Sequence, residues 1–195
     1  NNYLLNKGKT EQQLIGDRNV YNTLDEVAFK TKAEQIKTAL IELIDSTPNL
    51  SANYKEKEKR NINYEYISKL LGFEKSYANV TKNPDFKVSD GFLPNLSQFD
   101  YNNGEDYLFS VNYKRIVKFY YKNKASLNPT LKDSKEDIVY LKTIAAIADD
   151  GIKNSLLFDE ARQGINYTSD LDSYYKIVMK ASTNQKENNR ITESY

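Results

Sequence analysis

The stretch YLFSVNYKRIVKFYYKNK, residues 107–124, carries five basic side chains and no acidic one, with aromatic or aliphatic residues in most other places. It reads in two periods. At period two, Tyr107, Phe109, Val111, Tyr113, Val117, Phe119 and Tyr121 are all apolar or aromatic and only Arg115 breaks the series, which is a strand pattern. At about 100° per residue, Leu108, Phe109, Tyr113, Ile116, Val117, Phe119 and Tyr120 share a half-circle, with Lys114, Arg115, Lys118 and Lys122 opposite, which is a helix pattern. The ends break the tie. A strand of this length would be about three times the usual ~5–6 residues, and no Gly or Pro interrupts it for a hairpin. Asn103 is a capping residue, Glu105 and Asp106 follow it, and Lys118, Lys122 and Lys124 lie toward the C-terminal end, each sign matching the helix dipole. The stretch is expected to be one amphipathic helix, with an aromatic core face and a basic outer stripe.

Upstream, Thr23-Leu-Asp-Glu26 forms a capping box, and Phe29, Ala33, Ile36, Leu40 and Leu43 recur at helical spacing before STPN, predicting a helix over 23–45. Thr10 with Gln13 forms another box, for a short helix that Gly16 ends. The run KEKEKR, 55–60, reads as a solvated turn or helix start because its charges alternate and nearly cancel. Asn63 then caps a short helix with Ile67, Leu70 and Leu71 on one face, closed by Gly72. From Glu74 to Asn103 periodicity stops, and Pro84, Asp90-Gly91, Pro94 and Asn102-Asn103-Gly104 punctuate the chain. Tyr77, Phe86, Phe92, Leu93, Leu96, Phe99 and Tyr101 give this segment apolar anchors, so it reads as an ordered, packed excursion, or alternatively as a ligand surface.

Downstream, Ser134 with Asp137 begins a helix carrying Ile138, Leu141, Ala145 and Ala148. Asp150 caps its continuation through Leu156 and Ala161 to Gly164, and Ser169 with Asp172 starts a last helix whose buried line is Leu171, Tyr175, Val178 and Ser182. Residues 182–195 are polar and read as a frayed tail or a solvated helical extension. The fold class is therefore all-α: a single helical-bundle-like domain over residues 1–181, with about five to seven helices and one long ordered loop.

Composition narrows the chemistry. A chain of 195 residues with 39% hydrophobic content can bury about 70% of its unfolded surface. The 28 basic and 27 acidic residues leave a net charge of +1, so no global field draws the chain to nucleic acid or anionic membrane, and any basic site is local. Cys, His and Trp are absent, which removes zinc fingers, Cys-His pairs and Ser-His-Asp triads; no cofactor or metal is expected. The longest apolar run, TIAAIA at 143–148, is far short of the ~20 residues that cross a bilayer. The opening NNYLLNKGKTEQQ has no initiator Met or signal segment and reads as a processed or trimmed piece.

Specific motifs are weak. Sequons stand at Asn49, Asn79, Asn95 and Asn166, as expected by chance in so Asn-rich a chain. DYNNGEDY, 100–107, departs from the EF-hand spacing and reads as a turn with a helix cap. The carboxylate pairs Asp149 with Asp150 and Asp159 with Glu160 point apart on a helix and suit caps and solvated faces. No phosphate-binding glycine loop is present. The candidate ligand contacts are the stripe Lys114, Arg115, Lys118 and Lys122, suited to an acidic protein surface or a sulfated glycan, and the excursion's Phe86, Phe92, Phe99 and Tyr101. Nucleic acid is disfavoured, because the stripe's aromatics are spent on the core rather than free to stack bases.

Amphipathic helices, balanced charge, no Cys and abundant Lys and Asn give the whole chain a character that resembles the helical ectodomains of spirochaetal outer-surface lipoproteins. The resemblance implies a mature domain tethered through a lipidated Cys upstream of Asn1 and displayed at the bacterial cell surface, or secreted, to bind a host protein or glycan. No family residue is carried over. An intracellular (cytoplasmic) helical adaptor and a carboxylate-dependent glycan-acting enzyme are the alternatives, and the non-enzymatic binding domain is the expectation.

Overall fold

The computed structural model describes residues 2–128 and 135–194, and ten helices and no strand are found among them. The all-α expectation is met, with more helices than expected. The chain groups into two compact units, one of Asn1–Phe99 with Phe109–Ile116 and one of Asp100–Leu108 with Val117–Tyr195.

In the first unit, α1 (Asn2–Ile15) runs through Thr10, which is mid-helix rather than a cap, and stops at Gly16, whose φ of 65° no β-carbon favours. α2 (Arg18–Asn22) is capped by Asp17. α3 (Glu26–Ser46) is capped by Asp25, whose carboxylate accepts from the Ala28 N–H at 2.8 Å; Thr23, expected as the cap, instead closes α2. Phe29, Ala33, Ile36, Leu40 and Ile44 are its buried line. α4 is a single 30-residue helix, Ala52–Thr81, capped by Ser51 and ended by Lys82 in the left-handed conformation. Asn63 and Gly72, read as the ends of a short helix, are both interior to it. KEKEKR lies in the opening turns of α4, so of its two readings the helix start holds and the solvated turn does not: Glu58 within it is 4% exposed.

Two apolar clusters hold this unit. Tyr3, Ile36, Leu40, Ile44 and Ile62 join α1, α3 and α4. Phe29, Ala33, Leu70 and Phe73 close over Phe92 from the non-helical segment after α4, with Phe86 and Tyr77 packed beside them. Charged side chains tie the same segment down: Glu26 accepts from Ser89 N–H at 3.0 Å, Lys30 donates to the Phe92 carbonyl at 2.6 Å, and Glu74 meets Lys87 at 2.8 Å.

Residues 107–124 are helical, not a strand, but not one helix. α5 (Gly104–Phe109) ends and α6 (Val111–Ser126) begins around Ser110, which is buried, accepts from the Tyr113 N–H at 3.1 Å and donates to Asn61 Oδ1 at 2.6 Å. Ser110 is thus an N-cap for α6 inside an otherwise apolar run. The buried face is also turned from the expected one. Leu108, expected in the core, is 82% exposed, and Phe109 and Phe119 are exposed, while Tyr107, Tyr113, Ile116, Val117 and Tyr121 are buried.

In the second unit, Asn103 caps α5 as expected, accepting from Asp106 N–H at 2.9 Å. A β-carbon on Gly104 would lie 2.5 Å from the Asp149 carboxylate, which accounts for glycine there. α7 (Glu136–Ala145) follows; Ser134, expected to start it, lies outside the described residues. α8 (Asp150–Gly164) is capped by Asp149 rather than Asp150. α9 (Leu171–Ala181) is capped by Asp170 rather than started by Ser169, and Tyr174 and Val178 are its buried residues, with Leu171 exposed and Tyr175 half-buried. The core is apolar: Ile138, Leu141, Ile144, Ile152, Leu156, Leu157 and Val178 are all buried. Residues 185–194 form α10 (Gln185–Ser194), with Ile191 and Asn188 buried, where a frayed tail or solvated extension was expected.

Candidate functional site

The spacing of α4 creates the site. Glu65, Ser68, Lys69, Gly72, Phe73 and Ser76 recur every three or four residues and so face one way, lining a cavity of about 770 Å³ in the first unit. Tyr21 and Asn22 of α2 and Phe29 of α3 line it too, as do Asn112 and Arg115 of α6. Gly72 leaves the floor bare, since a β-carbon built on it would meet nothing within 4 Å. Glycine inside a helix costs about 1 kcal/mol relative to alanine, so the open floor carries a local cost.

One wall is aromatic. Tyr21, Phe29, Phe73 and Tyr77 form a chain of ring contacts with centroids 5.3, 4.4 and 5.3 Å apart. The Tyr21 hydroxyl is shielded from water and has no hydrogen-bond partner among the described residues. Burial raises its pKa, with Lys69 opposing and Glu11 and Glu65 assisting, so it remains a protonated donor.

The opposite feature is ionic. Lys69 bridges Glu11 of α1 at 2.6 Å and Glu65 at 2.9 Å. Lys7 of α1 bridges Glu58 at 2.8 Å and Glu65 at 3.5 Å, and the Tyr3 hydroxyl donates to Glu58 at 3.0 Å. Burial opposes the charges on Lys7 and Lys69, but the carboxylates outweigh it and hold both pKa values above the ordinary lysine range. Burial likewise opposes ionisation of Glu65, yet Lys69, then Glu11 and Lys7, hold its carboxyl below the usual range. Lys7, Lys69 and Glu65 are therefore held in their charged forms near neutral pH.

The expected contact residues are scattered. Lys114 and Arg115 belong to the first unit, and of the stripe Arg115 lines this cavity, reaching Asn112 Oδ1 at 3.4 Å. Lys118 and Lys122 belong to the second unit. Lys118 is half-buried, and Lys122 lies 5.5 Å from the centre of the Tyr140 ring, beside a smaller cavity of about 310 Å³ that Glu136, Asp137 and Glu160 also line. Phe92 is buried against Lys30, Phe29 and Phe73, and Phe86 packs on Phe73 and Tyr77. Phe99 stacks on Tyr113, and Tyr101 stacks on Tyr120 with ring centres 3.6 Å apart. All four aromatics of the excursion thus make ring contacts within their own units.

Sequence reasoning missed the α4 line itself. Its signal was visible as Ser68, Gly72 and Ser76 at four-residue spacing, but taking Gly72 as a helix end cut it in half. Among the described residues no group of three or more acidic side chains is placed to hold a metal ion, and no helix is long and apolar enough to cross a membrane. No protein-family model, no curated protein and no solved structure matches the chain.

Proposed function

We propose that this chain is a non-enzymatic helical binding domain, displayed at a bacterial surface through an upstream lipid anchor, whose ligand is a host molecule held in the α4 cavity. The observation that carries the reading is the cavity itself: bare at Gly72, aromatic on one wall, and bordered by Arg115. Its fixed protonation states favour binding over turnover, because a general acid or base works best with a pKa near the operating pH. Hydroxyl and amide side chains at Ser68, Ser76, Asn22 and Asn112 supply paired donors and acceptors for a polar ligand.

The test uses immobilised host matrix glycoproteins and saccharides, probed with the natural chain and with Gly72→Leu. Leucine is a strong helix former and its β-carbon meets open space, so helix content by circular dichroism should not change. Binding should drop at least tenfold in the variant. Equal binding by both would move the contact away from this cavity, to the Lys118 and Lys122 surface. Surface display is tested separately by treating intact cells with protease, and survival of the protein there would sink that part of the proposal.

A further inference from the structure

We infer that the ligand of the α4 cavity is a small, hydroxyl-rich acid bearing one negative charge, of the chemical class of a hexuronic acid; the inference rests on the cavity being the binding site. Charge sets the first limit. Lys69 is already shared by Glu11 and Glu65 at 2.6 and 2.9 Å, whereas the exposed Arg115 guanidinium reaches, among the described residues, only Asn112 Oδ1, at 3.4 Å. Among the described lining residues Arg115 is thus the available cation, and a guanidinium pairs with a carboxylate through two parallel hydrogen bonds.

The rest of the lining suits a sugar ring. Ser68, Ser76 and Asn112 each both donate and accept, as ring hydroxyls require. Tyr77, half-buried at the aromatic wall, offers an apolar surface to the C–H face of such a ring. The volume of about 770 Å³ lies within the range typical of small-molecule sites. A polysulfated chain fits poorly, since it gains affinity by pairing many phosphate- or sulfate-like charges with many cations, and the lining holds only Arg115 and the already paired Lys69.

The experiment is an NMR titration of the isotopically labelled full chain with D-glucuronate, D-glucose and dextran sulfate. Glucuronate is expected to shift the resonances of Ser68, Ser76 and Arg115, and glucose to bind about tenfold more weakly, the factor that one charge-assisted contact contributes. Arg115→Gln should erase that difference while glucose binding persists, and Gly72→Leu should remove both. Equal affinity for glucose and glucuronate, with shifts still in the cavity, overturns the charge assignment but leaves the site standing. Glucuronate shifts confined to residues outside the cavity overturn the site and this inference together. Dextran sulfate binding that survives Gly72→Leu with no glucuronate binding assigns the chain to polyanions and overturns the monoanion class, as does the absence of any shift with all three probes.

Discussion

The first unit links α1 to α4 with charges that are half-buried, or buried at Glu58, and the second joins α7, α8 and α9 mainly with aliphatic side chains. Between α1 and α4 the order runs Glu58, Lys7, Glu65, Lys69, Glu11, with each cation between two carboxylates. Between α7, α8 and α9 the fully buried residues include Leu141, Ile144, Ile152, Leu157 and Val178, with Ala161 and the Tyr174 ring beside them. An apolar interface is stabilised in proportion to the area it hides, whereas a buried ion pair roughly balances attraction against desolvation and is damaged chiefly when one partner is lost. The two units should therefore fail in different ways.

The largest expected effect is on the apolar side. Leu157→Ala should destabilise the second unit by about 2–5 kcal/mol, through lost transfer energy and the cavity left behind, measured by urea denaturation with tyrosine fluorescence. A loss below about 1 kcal/mol would mean the α7–α8–α9 packing is looser than described. On the ionic side, Glu58→Ala should cost about 2 kcal/mol, less than for a fully isolated pair, because Lys7 keeps Glu65. The paired change Glu58→Leu with Lys7→Met should recover most of it, and failure to recover would show that the pair itself is strongly favourable.

Acid should distinguish the units more gently. Because Glu65 titrates below its ordinary 4.5 in the folded chain, its contribution is complete above that value and is lost as pH falls through the folded one. The raised Lys7 and Lys69 contribute fully below the ordinary lysine value of 10.5 and lose their contribution as pH rises beyond it. Backbone amide protection in α1 should thus weaken as pH falls below 4.5 while that of α8 persists, read by hydrogen exchange; simultaneous loss would break the contrast. Smallest of all, Gly72→Ala should raise stability by up to about 1 kcal/mol, because its β-carbon meets no atom; a fall in the urea midpoint would show that the floor is not open.

How far the sequence could be read follows the reach of each interaction. Phe29, Ala33, Ile36 and Leu40 were legible because their three- and four-residue spacing along one helix sets a shared face locally, whatever packs against it. Asn103 was legible because a cap acts over three residues. Glu58 was not, since it is matched to Lys7 across 51 residues and local alternation in KEKEKR reads as solvation. The break at Ser110 was missed because the apolar run has a consistent phase on both sides, and one serine's bond to Asn61 decides otherwise. In α9 the buried face is turned by one residue, from Tyr175 to Tyr174, where the Tyr174 hydroxyl finds the Glu160 carbonyl at 2.8 Å. Arg115, expected in the basic stripe, lines the cavity, whereas the α4 line was not read from the sequence, because its continuity depends on a glycine that elsewhere ends helices.

The bare floor at Gly72 also makes the chain its own instrument. No cysteine occurs anywhere in it, so Gly72→Cys would install one thiol, in open space and at a defined depth in the groove. A fluorophore attached there would report occupancy as a change in emission, and a disulfide-tethered fragment library would sample the groove whatever the identity of its guest.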